Sequence, residues 1–314
     1  MPETFLITGA TGFIGANIVR RLVFDKKNVH VLTRNKKLNW RLLDIAKRIK
    51  IHNIDLLDES NVNKTIIKIK PTYIFHLAAY GSLPREDNIK NLIDVNLRGT
   101  INLVNAVKQH RFKLFINTGS SSEYGIKNSP MKEIDLIMPI NDYGVTKAAA
   151  TLFVQKEAVR NNLPIITFRL FSVFGPYEEA TRLIPYVILS AINNRRMDLG
   201  SPDNVRDFVY IDDLVDAYLH ACKVTIAPGE IFNIGTGKQY NTADVVKNVM
   251  MLSKSKSKVN FGVVKKQVRQ VEPKSWLADT NKTEKVLDWQ AKYSFKKALK
   301  ESIEWFRKNQ NIYD

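Results

Sequence analysis

The sequence predicts an α/β fold: a Rossmann-type doubly wound parallel sheet with helices on both faces, joined by a smaller interleaved C-terminal domain. Three observations predict it. Short apolar runs alternate with amphipathic stretches through the first half of the 314 residues, the pattern of strands buried on both sides by helices. The first run leads at once into a glycine-rich turn. Beyond Gly175 the alternation breaks, at Pro185, at a polar turn over 193–196 and at Pro202.

In chain order, residues 5–8 form the first strand, followed by Gly9-Ala10-Thr11-Gly12-Phe13-Ile14-Gly15 and an amphipathic helix over about 12–24. Strand, glycine turn and helix together are the context of a Rossmann-type dinucleotide site. Gly9 allows the tight turn, Gly12 lets the backbone approach a pyrophosphate, and Gly15 lets helix and sheet pack closely. The helix amino terminus supplies free amides for the anion. Thr11, Phe13 and Ile14 belong to the same cofactor-binding turn. The second strand, 29–32, ends in Thr33-Arg34-Asn35-Lys36-Lys37. An acidic residue there would take the ribose hydroxyls of NAD; its place is held by Arg34 and Asn35 with lysines nearby. That charge suits a 2′-phosphate, so NADP(H) is the preferred cofactor and NAD(H) the alternative.

Residues 51–54 read as a strand leading to Asp55 and Leu56, with Asp55 set to meet the adenine edge and Asp58 to cap a helix over 59–70. A strand over 73–77 ends in Leu77-Ala78-Ala79, small residues against which a cofactor can lie. A long helix over 88–110 follows, with Asn96 expected to reach inward. The strand over 113–117 runs into Thr118-Gly119-Ser120-Ser121-Ser122-Glu123-Tyr124-Gly125. The helix over 143–162 carries Tyr143 and Lys147, four residues apart and so on one face. A phenol beside an ammonium suits reversible proton exchange with a carbinol or ketone oxygen. The cation is expected to pull Tyr143 below its usual value of about 10. A helix-surface pair is the bland alternative. The strand over 165–170 ends at Phe171-Ser172, and a further strand, 231–234, precedes Gly235-Thr236-Gly237. Helices are expected near 242–252, 282–287 and 295–309, with an exposed Ser/Lys loop over 253–258. The domain division expected is 1–172 with 208–237 returning to it, against 173–207 with 238–314.

Composition narrows the class. Apolar residues make up 44% and charged residues 25%, ordinary for a globular chain. The lone Cys222 excludes an internal disulfide and fits a reducing compartment. No secretory leader is read at the amino terminus, and no apolar run approaches the roughly 20 residues that span a bilayer. A cytoplasmic protein is expected. The net charge of +17 raises nucleic acid as a partner, but the lysines are spread over several helix faces without interleaved aromatics. No metal site is expected.

The ordered set Thr8-Gly9-Ala10-Thr11-Gly12-Phe13-Ile14-Gly15, Tyr143/Lys147, 206–214 (Arg-Asp-Phe-Val-Tyr-Ile-Asp-Asp-Leu), Asn233-Ile234-Gly235-Thr236-Gly237 and Leu287-Asp288-Trp289 resembles the extended short-chain dehydrogenases/reductases. Within them it resembles the NAD(P)-dependent nucleotide-sugar epimerases, dehydratases and 4-ketoreductases, over nearly the whole chain. The resemblance implies Ser120 as the hydroxyl on the reacting sugar oxygen, Tyr143 as proton donor, and Lys147 on the nicotinamide ribose. It implies Arg206 and Arg269 as diphosphate clamps, and Ser121, Leu183 and Ile184 in the nucleotide-sugar pocket. Where the family commonly has Asn after the strand's aromatic residue, this chain has Ser172, a shorter donor. Family 4,6-dehydratases follow the hydroxyl with Asp and Glu; Ser121 and Ser122 cannot expel a hydroxyl, so dehydration is excluded. The expected reaction is NADPH-dependent reduction of an NDP-4-keto-(6-deoxy)hexose. A C4 epimerase is the alternative, and a regulatory or RNA-binding member of the fold the second alternative. A reductase of apolar carbonyls is disfavoured by Arg206. A homodimer is implied by the family.

Overall fold

The computed structural model describes residues 3–34, 38–81, 86–263 and 274–313. Its main sheet has the strand order β10-β6-β5-β4-β1-β2-β3. The strands are β1 (Thr4–Thr8), β2 (Asn28–Thr33), β3 (Lys50–Asn53), β4 (Tyr73–His76), β5 (Leu114–Ser120), β6 (Ile165–Leu170) and β10 (Ile231–Ile234). Every pairing is parallel. Helices α1 (Phe13–Phe24), α2 (Glu59–Ile69), α3 (Ile89–Leu92), α4 (Gly99–Val107), α5 (Asp142–Asn161) and α7 (Ile211–Ala221) cover its faces. Successive strand side chains feed opposite faces. Phe5, Ile7 and Phe75 join one buried cluster while Leu6, Ile74 and Phe115 join the other.

The expected α/β doubly wound sheet is therefore present. Residues 231–234 sit beside β6, with Ile231 opposite Thr167. The later chain adds β7 (Ser172–Phe174), β8 (Met197–Asp198), β9 (Val205–Tyr210), β11 (Gln239–Asn241) and β12 (Val259–Asn260). These form a three-stranded sheet, β11-β9-β7, and a two-stranded one, β12-β8. Helices α6 (Leu183–Ile192), α8 (Thr242–Ser253), α9 (Asn281–Val286) and α10 (Phe295–Lys308) complete the fold.

The helix expected over 88–110 is present over 89–107, with a π-helical turn, Ile93–Arg98, joining α3 to α4. The turn sets Asn96 against the loop after β4, where its amide accepts from Tyr80 N (2.8 Å) and donates to Tyr80 O (2.9 Å) and Thr146 Oγ1 (3.0 Å). The Ser/Lys stretch 253–258 is exposed only on its lysine side. Ser253 and Ser257 are buried, bonded to Val249 O and Ser190 O.

Candidate active site

The carboxyl ends of the main sheet open into a cleft of about 1060 Å³, the place where doubly wound sheets bind ligands. Gly9 ends β1 at φ +67°, and a Cβ there would lie 2.5 Å from the Leu77 carbonyl carbon; only glycine allows that approach. Gly15 is as tightly placed against the Gly9 carbonyl. At Gly12, the N-cap of α1, a Cβ would meet only Gly9 O (3.3 Å) and would otherwise project into open space. No side chain caps α1. An uncapped helix start beside an open glycine fits a dinucleotide pyrophosphate.

Thr11, Gly12, Phe13 and Ile14 line this end of the cleft, with Arg34 beyond β2, and Asp55, Leu56, Leu77, Ala78 and Ala79 along its floor. Arg34 is exposed at the rim. Asn35 and Arg269 lie outside the described residues. Asn96 does not reach the cleft: it is fully buried and spends its amide on Tyr80 and Thr146. Leu183 and Ile184 also fall behind the wall; their neighbour Arg182, the N-cap of α6, lines the cleft instead. The helix start turns the leucine and isoleucine towards the apolar core.

Ser120, Ser121, Tyr143, Lys147, Phe171, Ser172 and Arg206 converge at the other end. Ser120 closes β5 and begins a one-turn 3-10 helix, Ser121–Glu123, with a reciprocal capping box. Ser122 N donates to Ser120 Oγ (3.1 Å), and Ser120 N donates to Glu123 Oε1 (2.8 Å). With that acceptor position filled, the Ser120 O–H is available as a donor. Glu123 points away from the cleft into a buried ion pair with Arg169 (2.8 Å), and Thr151 also donates to it (3.1 Å). Arg169 lies 4.5 Å over the Tyr124 ring, and the Tyr124 hydroxyl donates to Asn233 (2.7 Å).

Tyr143 and Lys147 rise from the first turns of α5, started by Asn141, whose side chain accepts from Gly144 N (2.7 Å). The sequence-based expectation of an acidified phenol is overturned here. Burial pushes Tyr143 up to about 12; the Ser120 hydroxyl and the more distant Arg182 charge pull against that rise, while Glu123 and Glu86 add to it. Loss of water around the phenol outweighs any help from a cation. The same burial pulls Lys147 down to about 8, partly offset by Glu123. The pair therefore stands as a neutral phenol beside an ammonium that readily gives up its proton.

The sequence reading missed several cleft residues: Arg41, Glu86, Glu178, Glu179, Arg182 and Trp276. Trp276 donates through its indole nitrogen to Ser121 Oγ (3.0 Å) and lies 5.3 Å beneath the Arg206 guanidinium. Nothing in local spacing announces such a contact across 155 residues. Among the described residues, no group of three metal-ligating side chains occurs and no helix is long and apolar enough to cross a membrane.

The family model described as "NAD dependent epimerase/dehydratase family" matches residues 5–235. The chain is 28% identical to the dTDP-D-glucose 4,6-dehydratase of Homo sapiens, over 97% of this chain and 90% of that protein. It is 27% identical to the UDP-glucose 4-epimerase of Lactobacillus helveticus, over 92% of each. Among solved structures, that of UDP-glucose 4-epimerase with UDP-glucose from Thermotoga maritima matches with a TM-score of 0.88 at 24% identity, covering 98% of this chain and 100% of that one. At that identity the likeness shows the fold.

Proposed function

Because the chain belongs to the NAD-dependent epimerase/dehydratase family, we propose that it works on the C4 position of a nucleotide-diphosphate hexose, reducing a 4-ketone with NADPH. The observation that carries the reading is the chemistry beside Ser120. Ser121 is held by the Trp276 indole, Ser122 serves the capping turn, and Glu123 is locked to Arg169. The two positions after Ser120 thus offer no acid and base to expel a C6 hydroxyl, which supports chemistry confined to C4. The identity to a dTDP-D-glucose 4,6-dehydratase leaves open which of the family's reactions this chain performs; the serines argue against dehydration, and Arg34 at the cofactor end of the cleft favours reduction with NADPH.

The cofactor would be held by the glycine turn, the α1 amino terminus and Lys147, with Arg34 set for a 2′-phosphate. Bound there, the nicotinamide supplies the hydride. Ser120 donates to the C4 oxygen and Tyr143 gives it a proton, so both act on developing negative charge. A neutral phenol is the form needed for that donation. Arg206, backed by Trp276, would take the substrate diphosphate as a planar fork. Segments 173–207 and 238–314 would form the substrate side, against the dinucleotide side built from 1–172 and 208–237.

A second reading, C4 epimerisation with retained NAD, is favoured by the identity to UDP-glucose 4-epimerase. The two differ in stoichiometry. The protein is incubated with NDP-4-keto-6-deoxyhexoses plus NADPH, and separately with NDP-hexoses and no added cofactor. Loss of NADPH only with the keto-sugars is expected. Isomer mixtures formed without net oxidation would replace reduction by epimerisation.

A further inference from the structure

A buried chain of hydrogen bonds runs behind the cleft wall, from the end of β1 to the first turns of α5. At its centre is His76, the last residue of β4, which is almost wholly buried. Its Nδ1 lies 2.7 Å from Thr8 Oγ1 and its Nε2 lies 2.8 Å from Thr100 Oγ1. The direction of each bond follows from what the neighbours have left to give. Thr100 spends its one hydroxyl proton on Asn96 O (2.7 Å), so it accepts from His76 Nε2. A neutral ring then accepts at Nδ1, where Thr8 donates while itself accepting from Ala78 N (3.2 Å). Asn96 carries the chain onward: its amide donates to Thr146 Oγ1 (3.0 Å), and Thr146 donates to Tyr143 O (3.0 Å). The surroundings keep the ring neutral. Burial pulls His76 down to about 3, and the charge of Lys147 adds to the fall.

We propose that His76 is a positioning residue for both halves of the site. One ring nitrogen fixes the strand end that opens into the glycine-rich turn. The other fixes, through Thr100, Asn96 and Thr146, the helical turn that carries Tyr143 and Lys147. The proposal rests on the reading of the cleft as a cofactor and nucleotide-sugar site. Thr8 immediately precedes Gly9, whose backbone approaches Leu77 and Ala78 too closely for any Cβ. The bond from Thr8 to His76 ties together the two strand ends that make this approach. On the other arm, Thr146 stands between Tyr143 and Lys147 on α5, and its hydroxyl is where the chain meets that helix. Hydride transfer needs the nicotinamide and the proton donor in register, and a misplacement of about 1 Å costs on the order of 10²-fold. An apolar side chain in place of His76 would leave the buried Thr8 and Thr100 hydroxyls each short of a partner.

The test compares His76→Asn, His76→Gln and Thr100→Val with wild type. It reads the Kd for NADPH, or for NADH where wild type prefers it, and kcat for whichever C4 reaction wild type performs. An asparagine amide reaches the place of Nδ1 and keeps the Thr8 arm; a glutamine amide reaches the place of Nε2 and keeps the Thr100 arm. His76→Asn and Thr100→Val are expected to lower kcat by about tenfold or more, with the smaller share of the loss in Kd. His76→Gln is expected to raise Kd by about fivefold, with the smaller share of the loss in kcat. Adding Thr100→Val to His76→Asn should change kcat by less than about twofold more, because both break one path. Equal losses of kcat and Kd in the two histidine variants would mean that His76 only fills the core, and overturn the proposal. Lowered melting temperatures with neither parameter moved would overturn it too. If neither histidine variant folds, Thr100→Val decides: a loss concentrated in kcat supports the proposal, and an even loss overturns it. Wild type that binds neither NADPH nor NADH removes the reading of the cleft and the proposal with it, whereas a competent wild type without the split removes the proposal alone. The bond directions have a readout free of activity. In nitrogen spectra of isotope-labelled wild type, the His76 ring is expected to stay in its neutral Nε2–H form from about pH 5 to about pH 9. An Nδ1–H form, or an imidazolium within that range, would break the chain and overturn the proposal.

Discussion

At the scale of single residues, Tyr143 and Lys147 pull stability and chemistry apart. Both are taken out of water, and burial is the leading cause of both shifts. Under the proposed function Tyr143 is a positioned proton donor, a role that contributes about 10²–10⁴-fold, so Tyr143→Phe is expected to lower kcat by about that factor. The Kd for NADPH, measured by fluorescence quenching, should move by less than about threefold, because the ring stays in place. Lys147 holds a charge at a place that disfavours it. Lys147→Met is expected to abolish turnover and to raise stability at pH 7 by about 2 kcal/mol, read from denaturant midpoints. The sign is fixed by linkage. The unfolded lysine keeps its proton to about 10.5, whereas the folded one releases it near 8. Wild-type stability relative to the methionine variant should therefore grow as pH climbs between those values and be flat below 8. If the ammonium is the working form, kcat at saturating substrate falls above about pH 8. An alkaline limb absent up to pH 10 would show that the charge of Lys147 does not matter to the reaction.

At the scale of elements, the 3-10 turn after β5 depends on one buried ion pair. Glu123 caps Ser120 N, accepts from Thr151 and meets Arg169 across the β5–β6 pairing, where Gly119 faces Arg169. Removing one partner leaves an uncompensated buried charge, so Arg169→Met is expected to cost about 3–5 kcal/mol. The double variant Glu123→Leu with Arg169→Met should recover part of that in urea melts, while Ser120, losing its cap, should still leave kcat depressed. Equal losses for the single and double variants would contradict this. The same turn shows what was legible in the sequence. The strands of the main sheet were visible as apolar runs because burial on both faces demands them, and their limits were found to within a few residues. Strands of two or three residues such as β8, β11 and β12 were not visible, since partners far along the chain make them. Val259, for example, pairs with Met197. The π-helical turn at Ile93–Arg98 was hidden for a similar reason: its Asn96 grips the Tyr80 backbone, a contact made outside the helix.

At the scale of the whole molecule, the glycine turn, Ser120 and Tyr143/Lys147 were legible because each is a local pattern, and the structure brings all of them to one cleft. The wall that faces them was not, because Arg41, Glu178, Arg182 and Trp276 are brought in by packing between distant segments. Asp207 shows how that wall is held. Its fully buried carboxylate accepts from Thr236 N (2.8 Å), Thr236 Oγ1 (2.6 Å), Gly237 N (3.0 Å) and Ala278 N (3.2 Å). It thereby joins β9, the loop after β10 and the segment that carries Trp276. A buried carboxylate is expensive, and burial accordingly raises its pKa; four converging donors make it tolerable. Asp207→Asn keeps the shape but turns an acceptor into a donor facing the same N–H groups. It is expected to cost about 2–4 kcal/mol in thermal or urea melts. The loosened segment also frees Trp276 from beneath Arg206, so KM for the nucleotide sugar should rise by about tenfold or more, the worth of a partly desolvated cation–π contact and its lost positioning. The glycine-rich turn is untouched by this change, which sets the discriminating comparison. Affinity for NADPH should stay within about twofold of wild type. A parallel loss of cofactor affinity would mean that Asp207 supports the cleft as a whole and not one wall of it.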